Sequence, residues 1–145
     1  DIPGLVQTSL NMGVVKLGET FNATFSVRSS VNAEKVELLE KLKALADMFG
    51  GSYSLHGQYP AWEYKKESYV RDTMVKVYTD LFGKEPLVLA IHAGLECGLL
   101  SEKLPGLDCV SIGPNNYDIH TTEERLSISS TIRVFEYLKV LLKEI

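Results

Sequence analysis

The sequence predicts an α/β fold in two pieces, a small α+β piece over residues 1–62 and part of a larger α/β domain over residues 63–145. Residues 20–29 alternate apolar and polar side chains with the period of two that a half-buried strand requires. After residue 62, amphipathic segments alternate with short apolar runs, as helices alternate with strands buried on both faces. The predicted order is strand, strand, helix, strand, then helix, strand, helix, strand, helix.

The first piece opens with two strands. Residues 5–17 partly alternate in polarity, and a turn at Gly18-Glu19 would join them to residues 20–29 as an antiparallel hairpin. A helix is predicted over Ala33–Phe49, with Asn32 as its N-cap and Gly50-Gly51 terminating it. A short strand over Ser52–Tyr59 follows and ends at Pro60.

The second piece begins with a helix over Ser68–Phe82 that Gly83 terminates. The apolar runs Leu87–Ile91 and Asp108–Ile112 are predicted as buried strands, and residues 94–101 as a loop entering a short helix. The last helix is predicted over Ile128–Glu144, with an apolar face formed by Ile128, Ile132, Phe135, Leu138 and Leu142.

Two buried strands do not make a stable sheet covered on both faces, so the second piece reads as the end of a larger domain. The chain also begins at Asp1 without a methionine. We therefore expect a fragment of a longer protein.

Composition narrows the class of protein. The chain has 145 residues, 45% of them hydrophobic and 23% charged, which is typical of a soluble globular protein. The net charge of −4 and the absence of a Lys/Arg cluster argue against nucleic-acid binding. The apolar runs are far shorter than the roughly 20 residues of a membrane span, and no signal peptide is visible. The two cysteines, Cys97 and Cys109, are too few and too far apart for a CxxC motif or a disulfide framework. This cysteine usage is consistent with a reducing cytoplasm.

Polar chemistry concentrates in two loops that follow the predicted buried strands, where α/β sheets carry their sites. Residues 91–98 read IHAGLECG, and residues 113–124 read GPNNYDIHTTEE. From residue type alone, His120 is either a metal ligand or a surface histidine. Arg28, on the polar face of the second predicted strand, is either a solvated arginine or a carboxylate-binding group.

Several motifs carry a family resemblance. The run IHAGLECGLLSEKLPGLDCVSIGP precedes IHTTEE and a terminal helix, and PGLVQTSLNMGVV, FSVRSS and YPAWEY come before it. In this order they resemble the aminoacyl-histidine dipeptidases, dinuclear zinc exopeptidases related to carnosinase. The resemblance covers essentially the whole chain and corresponds to the C-terminal third of the enzyme. It implies that residues 1–62 end a lid domain and that residues 63–145 are the C-terminal part of the catalytic domain.

The resemblance also implies an activity, the hydrolysis of Xaa-His dipeptides. In that family a water that bridges two zinc ions attacks the scissile carbonyl, a glutamate acts as general base, and zinc polarises the carbonyl. The other metal ligands and the general base of the family would lie upstream of Asp1, so no catalytic residue is expected within this chain. The implied partners are a dipeptide substrate, the missing N-terminal portion of the enzyme and a second copy in a homodimer. The isolated chain is expected to be inactive.

The resemblance implies metal-binding or substrate-binding roles for five residues. His120 matches a zinc ligand, and Arg28 matches the arginine that binds the terminal carboxylate of the substrate. Asn11, on the facing strand, either corresponds to a nearby asparagine that contacts the substrate in relatives or is a polar residue of a turn or strand edge. Gly94 would let the backbone approach the ligand. Glu96 would either bind the amino group of the substrate or sit at a helix N-terminus, where a carboxylate is favourable.

A rival interpretation is a small non-catalytic α+β module for interaction or dimerisation, whose first strands pair with a partner. The absence of most catalytic ligands from these 145 residues supports it.

Overall fold

The structure is a computed structural model that describes residues 4–92 and 95–145. Helices and small antiparallel two-stranded sheets make up the described part, which confirms the mixed α and β class. The elements in chain order are β1 Thr8–Leu17, β2 Phe21–Ser29, α1 Asn32–Met48, α2 Tyr69–Phe82, α3 Glu96–Lys103, β3 Asn116–Tyr117, β4 Arg125–Leu126 and α4 Ile128–Leu141.

The chain folds as two compact units. The first contains the described residues up to Tyr64 together with Leu89–Leu107, and the second contains Lys65–Val88 with Asp108–Ile145. The assignment of residues 1–62 to a lid and of residues 63–145 to a catalytic domain stays a prediction. No helix in the described ranges is long and apolar enough to cross a membrane.

The hairpin predicted at the start of the first unit is confirmed. Strands β1 and β2 pair antiparallel, with Ser9 opposite Arg28 and Asn11 opposite Ser26. The register shifts between Met12 and Val14, because Gly13 is an extra residue that bulges from β1. Cross-strand neighbours alternate between two faces, so one face carries polar side chains around Arg28 and the opposite face is apolar.

A polar network joins the base of this hairpin to the first turn of α1. The hydroxyls of Thr8 and Ser29 lie 2.8 Å apart, and Ser29 is buried. The side chains of Gln7 and Thr8 both donate hydrogen bonds to the carboxylate of Glu34, in the first turn of α1. The end of β2 next to Arg28 is therefore held between β1 and the helix.

The predicted cap of α1 is wrong. Val31 is the N-cap residue, no side chain caps the helix, and Asn32 is already the first helical residue. The reason is a competing contact, because the Oδ1 atom of Asn32 accepts the backbone N–H of Ala61 at 2.8 Å. The predicted stop is correct, since α1 ends at Met48 and Gly50 follows with a φ of +65°.

The core of the second unit lies between α2 and α4. Met74 and Val77 of α2 pack with Tyr137 and Leu141 of α4, and all of these are buried. The hydroxyl of Tyr137 donates a 2.7 Å hydrogen bond to the carbonyl oxygen of Met74. Both predicted ends of α2 are confirmed. Ser68 caps its N-terminus, and Gly83 terminates it in the left-handed conformation.

The predicted strands over Ser52–Tyr59, Leu87–Ile91 and Asp108–Ile112 do not form in the described residues. A strand exists only where its backbone groups pair with a neighbour, and no described segment pairs with these three. Leu87 and Leu89 are 88% and 76% exposed, whereas a central strand would bury them. The prediction instead missed the short β3–β4 hairpin, which lies inside a segment predicted as a loop.

The predicted apolar face of α4 coincides only in part with its packed face. Leu138 packs against the core as predicted, but Ile128, Ile132, Phe135 and Leu142 are all more than half exposed. Tyr137 and Leu141, which were not predicted, are buried against α2. The helix is apolar on more than one side, and the described chain covers only the side that meets α2.

Candidate functional site

His120 lies in a seven-residue loop between β3 and β4. Asn116 pairs with Leu126 and Tyr117 pairs with Arg125, so residues 118–124 close the hairpin. The stem is reinforced by an ion pair between Arg125 and Asp118, and the Arg125 guanidinium lies 5.4 Å from the centre of the Tyr117 ring. The hairpin thus gives the loop a fixed base in the second unit.

The loop contains the two described non-glycine residues with positive φ, Asp118 at +52° and His120 at +66°. Left-handed backbone costs an L-residue about 1–2 kcal/mol, and histidine adopts it only when contacts hold it there. The carbonyl oxygen of Asp118 accepts both the backbone N–H of Thr121 at 3.2 Å and its hydroxyl at 2.7 Å. This tight turn brings His120 to the tip of the loop.

Glu124 closes the loop from the other side. Its Oε2 atom accepts the backbone N–H of His120 at 3.1 Å, and its Oε1 atom accepts the side-chain N–H of Asn116 at 3.0 Å. These two hydrogen bonds lower the pKa of Glu124 below its ordinary value, the His120 N–H having the larger effect. Glu124 is therefore an ionised acceptor at neutral pH.

The imidazole of His120 is accessible to solvent. The residue is exposed, and no described side chain or backbone group forms a hydrogen bond with its ring nitrogens. A neutral imidazole with an accessible nitrogen is a suitable zinc donor. In the described part of the chain, no group of three His, Cys, Asp or Glu residues is placed to hold a metal ion. The structure therefore fits one ligand position rather than a complete metal site.

Arg28 and Asn11 share the polar face of the β1–β2 hairpin. They stand diagonally across the strand pair, since Ser9 faces Arg28 and Ser26 faces Asn11. Both are exposed, and no described residue forms an ion pair or hydrogen bond with the Arg28 guanidinium. A planar guanidinium beside an amide and two hydroxyls can bind a carboxylate through several donors.

The remaining predicted site residues belong to the 91–98 segment. Glu96 is exposed and lies in the first turn of α3, the position where the helix dipole favours a carboxylate. Gly94 lies outside the described residues. Arg28, Asn11 and Glu96 belong to the first unit, and His120 belongs to the second.

Two structural supports were not predicted from the sequence. Glu124 holds the His120 loop, as described above. Asp108 caps α2 from 38 residues beyond Val70: its Oδ2 atom accepts the Val70 N–H at 3.0 Å, and its Oδ1 atom accepts the Ser68 hydroxyl at 2.7 Å. Burial raises the pKa of Asp108, but these hydrogen bonds outweigh burial and lower it below its ordinary value. Sequence spacing carries no signal for such a distant cap.

Comparison with known proteins finds that the chain is similar to parts of two dipeptidases. No family model matches it. It is 36% identical over 143 residues to the cytosol non-specific dipeptidase of Escherichia coli (strain K12), covering 98% of this chain and 30% of that protein. It is similar to the crystal structure of the aminoacylhistidine dipeptidase from Vibrio alginolyticus, with a TM-score of 0.84, 30% identity, and coverage of 99% of this chain and 30% of that one. The chain thus spans about 30% of the length of each relative.

Proposed function

Since the chain corresponds to a C-terminal portion of the aminoacyl-histidine dipeptidase family, we propose that it forms part of a metal-dependent dipeptidase that hydrolyses Xaa-His dipeptides. The observation that carries the proposal is the continuous match: 98% of the chain aligns with one dipeptidase, and 99% superimposes on another. A shared fold alone would not indicate an activity, but 36% identity over 143 residues to a dipeptidase makes a related activity the best-supported one.

In this proposal His120 supplies one metal ligand. Its exposed imidazole, held at the tip of the β3–β4 loop, supports the assignment. Zinc, when bound, would polarise the scissile carbonyl of the dipeptide. The other ligands would come from the rest of the enzyme, because the described residues hold no complete donor set.

Arg28 binds the terminal carboxylate of the dipeptide, and Asn11 contacts the substrate beside it. The accessible guanidinium on the polar hairpin face supports this role, because its donors are not used by the described chain. The polar network at Ser29 fixes the end of β2, so the Arg28 backbone is held before a substrate arrives. Such pre-organisation lowers the entropy that binding must overcome.

Glu96 and Gly94 contribute to the wall of the substrate pocket. The exposed Glu96 carboxylate has two functions compatible with its position. It binds the amino group of the dipeptide, or it stabilises the N-terminus of α3. Exchanging Glu96 for Gln tests this choice, since only the first function changes the KM for dipeptides with a free amino group.

The complete enzyme would act in the cytoplasm, where the name of the Escherichia coli relative places that protein. Its partners would be the remaining portion of the polypeptide, a second copy in a homodimer and a dipeptide, with no nucleic acid or membrane involved. The 145-residue chain alone should not hydrolyse dipeptides and should bind zinc weakly, since one ligand cannot hold a dinuclear site.

A specific observation also favours the rival module. The hairpin face opposite Arg28 exposes Met12, Val15, Leu17 and Phe21, each at least half accessible. An uncovered apolar sheet face is typical of a surface that packs against another element. Hydrolysis assays separate the two functions, because a pure interaction module has no peptidase activity in any form.

The direct test is to read the coding sequence upstream of Asp1, express the complete protein and assay it on Xaa-His and other dipeptides. We expect upstream His-x-Asp and Glu-Glu motifs, zinc in the purified protein and hydrolysis of Xaa-His substrates. His120→Ala should lose about one metal per subunit and nearly all turnover, while His56→Ala, an exposed histidine that hydrogen-bonds Ser54, should lose neither. Unchanged metal content and turnover in His120→Ala would remove the metal assignment.

A further inference from the structure

His120 adopts a left-handed backbone conformation. Its φ is +66°, in a region that few non-glycine residues occupy, although asparagine, aspartate and histidine enter it more often than the others. A histidine stays there only when neighbouring groups stabilise that conformation more than the right-handed one. The contacts around its backbone therefore identify what sets the direction of its side chain.

Glu124 makes the contact to the His120 backbone itself. Its carboxylate accepts the His120 N–H at 3.1 Å with one oxygen and the Asn116 side-chain N–H at 3.0 Å with the other. Asn116 begins β3, so the carboxylate connects the left-handed residue to the stem of the hairpin. A charged acceptor makes a stronger hydrogen bond than a neutral one, which suits it to this task.

We infer that Glu124 is the positioning residue for His120. Its carboxylate accepts the backbone N–H of His120, whereas no described residue forms a hydrogen bond with the ring nitrogens of this exposed histidine. Metal-binding histidines are commonly oriented through their second ring nitrogen. Here the orientation is imposed through the peptide N–H instead. This inference rests on the proposed function, in which His120 binds a metal ion.

The neighbouring carboxylate offers a matched control. Glu123 is exposed like Glu124 and carries the same charge, but its side chain forms no hydrogen bond or ion pair within the described chain. Removing Glu123 changes the local charge as much as removing Glu124 does, and it leaves the His120 N–H bonded. A difference between the two variants therefore reports the hydrogen bond and not the charge.

The first experiment measures amide hydrogen exchange of His120 at single-residue resolution in the complete protein. We expect Glu124→Ala to exchange about tenfold faster at this amide, the factor that one net hydrogen bond contributes. Glu124→Gln should be intermediate, because an NH2 donor replaces one of the two carboxylate oxygens that accept these N–H groups. Glu123→Ala should match the wild type. Wild-type exchange in Glu124→Ala would overturn the inference.

The second experiment measures zinc affinity of the complete protein by competition with a chelator. We expect Glu124→Ala and Glu124→Gln to weaken zinc binding by about 10- to 100-fold, as loss of a positioning partner commonly does, with Glu123→Ala unchanged. If His120→Ala loses zinc while both Glu124 variants bind normally, the positioning role is refuted and the proposed function stands. If His120→Ala keeps all its zinc, the metal assignment falls, and the inference falls with it.

Discussion

Replacing Asp108 with alanine should weaken the start of α2 more than any other single loss of charge at that helix end. The carboxylate accepts the Val70 N–H at 3.0 Å and the Ser68 hydroxyl at 2.7 Å, while the Ser68 Oγ atom accepts the Arg71 N–H at 3.0 Å. A hydrogen bond to a charged group contributes about 1.5–3 kcal/mol, and an N-cap about 1 kcal/mol. Because Ser68 keeps its own cap bond, we expect Asp108→Ala to lower the free energy of unfolding by about 2 kcal/mol.

The pH dependence has a definite sign. The pKa of Asp108 in the folded chain lies below its ordinary value, because the hydrogen bonds to the ionised form outweigh burial. A lowered folded pKa gives stability that is fully present above the unfolded pKa, near 3.9, and is lost as the pH falls through the folded value. The difference between the wild type and Asp108→Asn should therefore be constant near neutrality and shrink on acidification below about pH 4.

The assay is urea unfolding combined with amide exchange of Val70 and Arg71, followed from neutral pH to pH 3. Asp72→Ala is the matched control, since Asp72 lies in the same first turn and is exposed. Within the described chain, its carboxylate pairs with the Arg71 side chain alone, at 3.2 Å. That exposed ion pair should contribute less than about 1 kcal/mol to the free energy of unfolding. Equal losses in the two variants, or a loss for Asp108→Asn that does not change with pH, would refute the capping role.

Further outcomes are expected for three other residues. Gly98→Ala should destabilise the first unit by about 1 kcal/mol despite the better helix propensity of alanine, because the new Cβ would lie 3.0 Å from the Pro60 carbonyl oxygen. Gly18→Ala is the control, since a Cβ at Gly18 has no neighbour within 4 Å. Equal melting temperatures for the two variants would contradict the predicted clash. Tyr137→Phe should cost about 1 kcal/mol in urea unfolding by removing its 2.7 Å bond to Met74; an unchanged midpoint would count against that bond. In the complete protein, Arg28→Ala should lower kcat/KM by about 10- to 100-fold on free-acid dipeptides but less on C-terminally amidated ones. Equal losses on both substrates would show that Arg28 does not bind the terminal carboxylate.

Elements that depend on local interactions were predictable from the sequence. The period-two pattern of residues 20–29 identified β2, and the turn at Gly18 placed β1 opposite it. The predicted bounds of α2, Ser68–Phe82 with Gly83 after them, agree with the observed Tyr69–Phe82 to within one residue, because a capping hydroxyl and a left-handed glycine act on groups within one helical turn. The resemblance to the dipeptidases was likewise visible in short motifs and their order, and the comparisons confirm it.

The sequence predicted which residues belong to the candidate site, but not the contacts that hold them in place. His120 and Arg28 were chosen from motifs, and their roles stay predictions. The structure adds what holds them: the Glu124 carboxylate behind His120 and the Ser29 network beside Arg28. Glu123 and Glu124 are adjacent and chemically identical, so no spacing rule would have distinguished them before the loop geometry was known.

Pairing and packing, by contrast, were decided by the tertiary structure. Apolar runs such as Leu87–Ile91 have the composition of strands, but a strand requires a partner for its backbone groups, and the described chain provides none for them. α4 is apolar on more than one side, so its periodicity could not identify the side that meets α2. The side-chain oxygen of Asn32 could accept a hydrogen bond either from an N–H in the first turn of α1 or from the distant Ala61 N–H, and in the structure it accepts the Ala61 N–H. In each case the local sequence allows several arrangements of similar energy, and a contact far away along the chain selects one of them.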